Sequence, residues 1–159
     1  MTTQLARNAR REAIRWTNRE VRPNVALTLT LNQGRSHRSD RGTFWERGNP
    51  DVYARVYAQF VRRLSRRIFG AKLYRRFRKL IPNGAALEGN GITKRYHLHI
   101  FLRRPDFWTF EDFNIVCRAE WLRSPWALED MKVEPITGNW VGYSQKEGTE
   151  ALLIGSLSF

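Results

Sequence analysis

The run Val25-Ala26-Leu27-Thr28-Leu29-Thr30-Leu31-Asn32 alternates strictly, with Val25, Leu27, Leu29 and Leu31 on one side and Thr28, Thr30 and Asn32 on the other. Side chains of a β-strand point to opposite faces in turn, so this is a strand with one apolar and one polar face. From Asn49 the period changes. Asn49-Pro50-Asp51 supplies a cap, a proline at the first helical position and an acid in the first turn. Tyr53, Val56, Tyr57, Phe60, Val61, Leu64 and Ile68 then follow at three- and four-residue steps until Gly70, which predicts a long amphipathic helix. Ala85-Ala86-Leu87-Glu88 reads as a short strand, Gly89-Asn90-Gly91 as a turn, and Thr93 to Leu102 as the strand that returns. Thr109-Phe110-Glu111-Asp112 has the form of a capping box and opens a second helix to about Leu122. Met131 to Ile136 predicts a last short strand, at an edge because Pro135 has no N–H for a ladder. Trp140 to Glu147 predicts a short helix ended by Gly148.

This order of elements predicts an α+β fold: a single antiparallel sheet of four to five strands in split β-α-β order, ferredoxin- or RRM-like. The first and third strands lie side by side in the middle, the helices cover one face, and the other face is open. Ahead of this domain, residues 1–22 form a basic helical extension, in which Leu5, Ala9, Ala13 and Trp16 recur at helical spacing among Arg7, Arg10, Arg11, Arg15 and Arg19. It is expected to pack at the domain edge. Residues 23–159 form one compact unit. Residues 33–48, which carry His37, lack periodicity and read as a long basic loop, and 71–82 show no definite element.

Charge narrows the partner. There are 28 Lys plus Arg against 15 Asp plus Glu, a net charge of +13, which favours a polyanion and above all nucleic acid. No apolar run approaches the roughly 20 residues of a spanning helix and the N-terminus lacks a signal peptide's apolar core, so neither a membrane partner nor export is expected. The expected place is the cytoplasm, in association with DNA. The single cysteine, Cys117, sits in an apolar helical stretch and reads as a small buried hydrophobe, which leaves His, Asp and Glu for any metal.

Two of the three histidines form the pair His97-Leu98-His99, and on a strand both project from one face. Either they are two half-exposed polar residues or they are two metal ligands. Glu88, across the predicted hairpin, either completes such a site or offsets Lys94 or Arg95. Two imidazoles and one carboxylate leave open positions for water or phosphate, and phosphate chemistry suits one Mn²⁺ or Mg²⁺. Late in the chain, Tyr143 and Lys146 are three apart and share a helix face. A tyrosine hydroxyl with an ordinary pKa of about 10 is a poor nucleophile without a cation beside it, and Lys146 is such a cation.

His97-Leu98-His99 resembles the His-hydrophobic-His signature of the HUH endonucleases, Leu27 to Asn32 resembles their first motif, and Tyr143-Ser144-Gln145-Lys146 resembles their Tyr-x-x-Lys motif. Over about residues 25–148 the order is similar to that of single-tyrosine rolling-circle replication initiators. The resemblance implies that Glu88, His97 and His99 hold the ion and that Tyr143, aided by Lys146, attacks a single-stranded DNA phosphodiester. It leaves a 5′-phosphotyrosine link and a free 3′-hydroxyl. The implied partners are a single-stranded origin or element end, flanked by a hairpin, and a helicase acting in trans.

Contacts to the strand are expected from Thr28, Thr30 and Asn32 on the open face, from Arg35, Arg38 and Arg41 in the basic loop, and from Arg75, Arg76, Arg78 and Lys79, where basic and aromatic residues interleave. Two other readings stay open: a non-catalytic RRM-like module that binds single strands, and a metal nuclease that uses water.

Overall fold

The structure, a computed structural model, describes residues 2–139 together with Val141 and Gly142. In chain order the elements are α1 (Thr2–Glu20), β1 (Val25–Leu31), β2 (Gly34–Ser39), β3 (Gly42–Arg47), α2 (Pro50–Phe69), α3 (Ala71–Phe77), β4 (Asn83–Glu88), β5 (His97–Leu102), α4 (Phe110–Trp121) and β6 (Ala127–Pro135). Four strands form an antiparallel sheet in the order β4-β5-β1-β6. As the order of elements and Pro135 predict, β1 and β5 are the central pair and β6 is an edge, though β6 begins earlier than expected and a register shift falls between Leu29 and Leu31.

The apolar side of the sheet makes the core. Val25, Leu27, Leu29 and Leu31 of β1 and Leu98, Ile100 and Leu102 of β5 are buried with Tyr53, Tyr57, Phe60 and Leu64 of α2 and Phe113, Cys117 and Trp121 of α4. Burying such side chains stabilises the fold by roughly 1.5–3 kcal/mol each. The local signals that predict α2 and α4 are realised. The Asn49 side chain accepts from the Val52 N–H, and the Thr109 hydroxyl accepts from the Asp112 N–H, each satisfying an otherwise orphaned helix donor.

A buried polar cluster fastens α2 to the start of β4. The Tyr57 hydroxyl donates to Asn83 Oδ1, Asn83 Nδ2 donates to the Ile81 carbonyl at 2.7 Å, and the Ile81 N–H donates to Ser65 Oγ at 2.9 Å. Tyr57→Phe leaves a buried acceptor without its donor and is expected to cost about 1–3 kcal/mol, measurable by urea denaturation. Alkali acts on the same core. Burial, then the nearby Tyr96, pushes the Tyr53 hydroxyl up to about 12 against a lowering by Arg47, and burial raises Tyr57 further. Unfolded tyrosine ionises near 10, so between about pH 10 and 12 the folded state holds more protons and stability falls as pH rises. Burial also pushes the Cys117 thiol up from its ordinary value, so thermal melts are expected to begin to drop above about pH 9 and to drop more steeply above about pH 10, with a shallower drop in Tyr57→Phe.

Residues 33–48 are not a loop. β2 and β3 pair from Gly34↔Arg47 to Ser39↔Gly42 as a separate two-stranded ribbon, turned by Asp40-Arg41 with Gly42 at φ 113°. Both its faces carry polar side chains, so no apolar alternation announces it. Within 71–82, residues 71–77 are helical as α3, which packs on α2 and ends at Arg78 in a left-handed conformation. The face opposite the core is open over only part of its length. Phe101 is fully buried there, in a cluster with Val21 and Val141 against which Ile14 and Ile136 pack. So α1 lies over one end of this face rather than at the domain edge. Among the described residues no helix is long and apolar enough to cross a membrane.

Candidate functional site

The face that α2 and α4 leave uncovered carries His97, His99 and Phe101 of β5. In the ladder Glu88 of β4 stands opposite His97, and Thr28 of β1 opposite His99. Glu88 reaches diagonally to the second histidine: Glu88 Oε2 lies 2.5 Å from His99 Nε2. Its other oxygen forms an ion pair with Lys94 Nζ. One carboxylate oxygen thus offsets Lys94, as one of the two expected readings has it, while the other is taken up by a histidine. Glu88 is 5% exposed and His99 7%. A buried carboxylate needs such partners, because leaving it unpaired would be expensive.

Each imidazole is oriented from behind. His97 Nδ1 lies 2.8 Å from the Arg95 carbonyl, an acceptor only, so Nδ1 carries the hydrogen and Nε2 the lone pair in the neutral ring. His99 Nδ1 lies 3.3 Å from Thr28 Oγ1, a hydroxyl able to give or take a proton. The turn between the strands sets these distances. Asn90 Oδ1 accepts from the N–H groups of Ile92, Thr93 and Lys94 at 2.9, 2.9 and 3.2 Å, which folds the connection back on itself. Gly89, at φ 110°, allows the close approach of the returning chain, since a Cβ there would sit 2.3 Å from the Arg95 oxygen that orients His97.

Glu88, His97 and His99 are the residues that could hold a divalent cation. Their chemistry suits one: a carboxylate and two imidazoles, each ring with a partner behind it. As they stand, Glu88 and His99 bond to each other, and among the described residues no three His, Cys, Asp or Glu side chains are grouped as a metal site.

The remaining expected residues divide sharply. Thr28 belongs to the site, and Thr30, opposite His97, donates to Asp130 Oδ2 at 3.2 Å. Asn32 follows β1, where its carbonyl accepts from the Tyr53 hydroxyl and its N–H bonds the Trp126 carbonyl. Arg35 and Arg38 lie on β2 and Arg41 at its turn. Arg75, Arg76, Arg78 and Lys79 are exposed but belong to α3 and the segment after it, which leads into the Asn83 end of β4. Glu88 is at the other end of that strand, roughly 17 Å away at 3.4 Å per residue, so the four are not brought to the histidines. His37 is a half-buried strand residue whose ring packs 5.0 Å from that of Phe44. Tyr143 and Lys146 lie outside the described residues.

Three features of this face have little or no signal in the sequence. Lys94 is legible only as a charge neighbour of Glu88; its pairing depends on the turn. Asp130 on β6 joins through the register shift. The third is the return of the chain: Val141 is buried with Phe101, and the Gly142 carbonyl accepts from Arg10 Nη2 of α1 at 2.9 Å. Among the described residues no tyrosine occupies the histidine face. Tyr53 and Tyr57 are buried in the core, the Tyr96 ring packs tilted 5.0 Å from that of Tyr53, and Tyr74 is on α3.

Comparison with protein-family models, with curated proteins and with solved structures gives no match for this chain.

Proposed function

We propose that this chain nicks and religates single-stranded DNA in a metal-dependent reaction that passes through a 5′-phosphotyrosine, as its resemblance to the HUH endonucleases implies. The observation that carries the reading is the gathering of Glu88, His97, His99 and Thr28 on one face of three adjacent strands. The chain also returns to that face at Val141, two residues before Tyr143. In the forward step the Tyr143 oxygen bonds to the scissile phosphorus as the phenol loses its proton. The bond from phosphorus to the 3′ oxygen breaks, and that oxygen takes up a proton and leaves as a 3′-hydroxyl. Religation runs the same bonds in reverse. Lys146 balances negative charge on the reacting oxygens. One Mn²⁺ or Mg²⁺, when held by Glu88, His97 and His99, supplies positive charge at the scissile phosphate. Thr28 and the Arg95 carbonyl hold the two rings in place for that role.

The partners in this reading are a single-stranded origin or element end beside a hairpin and a helicase in trans, and the setting is the cytoplasm of a host cell. The direct test is incubation with pooled single-stranded oligonucleotides and Mn²⁺. A label at the 3′ end should appear on a denaturation-resistant adduct, whereas a 5′ label should appear on a shorter free fragment, and chelation should remove both. The non-catalytic binding module is favoured by one observation, the engagement of Glu88 by both His99 and Lys94. Retarded but uncut DNA with every metal and sequence would establish that module instead.

A further inference from the structure

We propose that the outer face of the β2–β3 ribbon is a single-stranded DNA platform, with Trp45 stacking on a base and Arg38 and Arg47 on the flanking phosphates. This rests on the nicking reading for its choice of DNA. The ladder sorts the ribbon into two faces. Arg35, His37, Ser39, Phe44 and Glu46 share one, and Ser36, Arg38, Thr43, Trp45 and Arg47 share the other with Gly34. The first face is spent internally. Arg35 is ion-paired to Glu46 at 2.8 Å and stands 4.9 Å from the Trp126 ring centre, while His37 packs on Phe44.

The second face is open to solvent and holds no acid. Trp45 is 68% exposed, and Ser36, Arg38, Thr43 and Arg47 around it are exposed as well. A fold has no reason of its own to leave an indole in water between two guanidinium groups, whereas single-strand binders combine an aromatic plane with basic flanks. Gly34 explains how the ring is presented. A Cβ at Gly34 would lie 2.5 Å from Trp45 Cζ2, so the indole rests against the bare glycine backbone and is braced on that side. Duplex bases are already stacked on each other, which makes an unpaired base the partner for an open ring.

The ribbon is rooted beside the histidines. The Tyr96 N–H, next to His97, donates to Gln33 Oε1 at 3.1 Å, and the Gly48 N–H closes the ribbon base on the Gln33 carbonyl at 2.9 Å. The ribbon base is therefore fixed to the residue that precedes His97.

The test is fluorescence anisotropy of a labelled, mixed-sequence single-stranded oligonucleotide in chelator, where no covalent step intervenes. Trp45→Ala is expected to weaken binding about tenfold with the melting temperature unchanged, and Trp45→Phe to stay within about threefold of wild type. Arg38→Ala with Arg47→Ala is expected to lower the slope of log Kd against log salt by about 1.4. An affinity of Trp45→Ala within twofold of wild type overturns the platform, as does a melting loss that Trp45→Phe fails to repair. Tighter binding of the equivalent RNA overturns the choice of DNA. Stacking-dependent binding without any adduct under Mn²⁺ would sink the nicking reading and leave the platform. An adduct that forms while Trp45→Ala binds normally would do the reverse.

Discussion

Tyr143→Phe is expected to abolish the covalent DNA adduct, a loss of at least about a thousandfold in the rate of its formation. The substitution removes one oxygen and leaves the ring, so affinity for the strand should stay within about twofold. In the proposed reaction that oxygen is the atom that bonds to phosphorus, and nothing described on the histidine face replaces it. Tyr53 and Tyr57 are fully buried, and Tyr96 turns to the helix side of the sheet. Denaturing gels of a 3′-labelled strand decide the matter. An adduct that persists in Tyr143→Phe refutes the assignment, and cleavage that persists without adduct points to attack by water.

Glu88→Gln is expected to slow adduct formation under Mn²⁺ by about a hundredfold. The amide keeps the shape of the carboxylate and removes its charge. It also presents an NH₂ where the carboxylate has a second acceptor for Lys94 or His99. Because Lys94 is half exposed and can turn to water, the stability cost should be small beside the loss of rate. Initial rates across a Mn²⁺ titration, with melting temperatures alongside, separate the two effects. A rate that is unchanged at every Mn²⁺ concentration refutes Glu88 as a ligand. A rate restored fully by more metal would show that the charge acts through affinity for the ion alone.

What could be read in advance was what is local or strictly periodic. The alternation of Val25 to Leu31 marked β1, the order of elements placed it in the centre, and Asn49-Pro50-Asp51 and Thr109 marked two helix starts that the structure reproduces. The shared face of His97 and His99 follows from strand geometry, and the hairpin does bring Glu88 to it. The connection, though, runs from Gly89 to Tyr96, and the returning strand starts at His97 rather than at Thr93, because residues 90–94 fold back on the Asn90 side chain. Elements without an apolar side escaped notice. The β2–β3 ribbon has polar residues on both faces and no core to point at, so its period is invisible in hydropathy. The seat of α1 escaped for a different reason. It depends on Ile14 and Val21 meeting Phe101, Ile136 and Val141, contacts between distant parts of a chain whose first helix looks predominantly polar. The diagonal reach of Glu88 to His99 rather than to its ladder neighbour His97 is a matter of side-chain conformation, which spacing does not encode.

The hydrogen bond from Arg10 to the Gly142 carbonyl joins positions 132 apart. On a ribosome, α1 emerges ahead of the other described elements and cannot make this contact until all of them have been synthesised. Contacts of such span carry a large loop-closure cost and tend to form late. The helix and the segment that leads to Tyr143 are therefore expected to lock together last, after the sheet with its two histidines has been assembled. In refolding experiments this joint should be the slowest to form and the first to open.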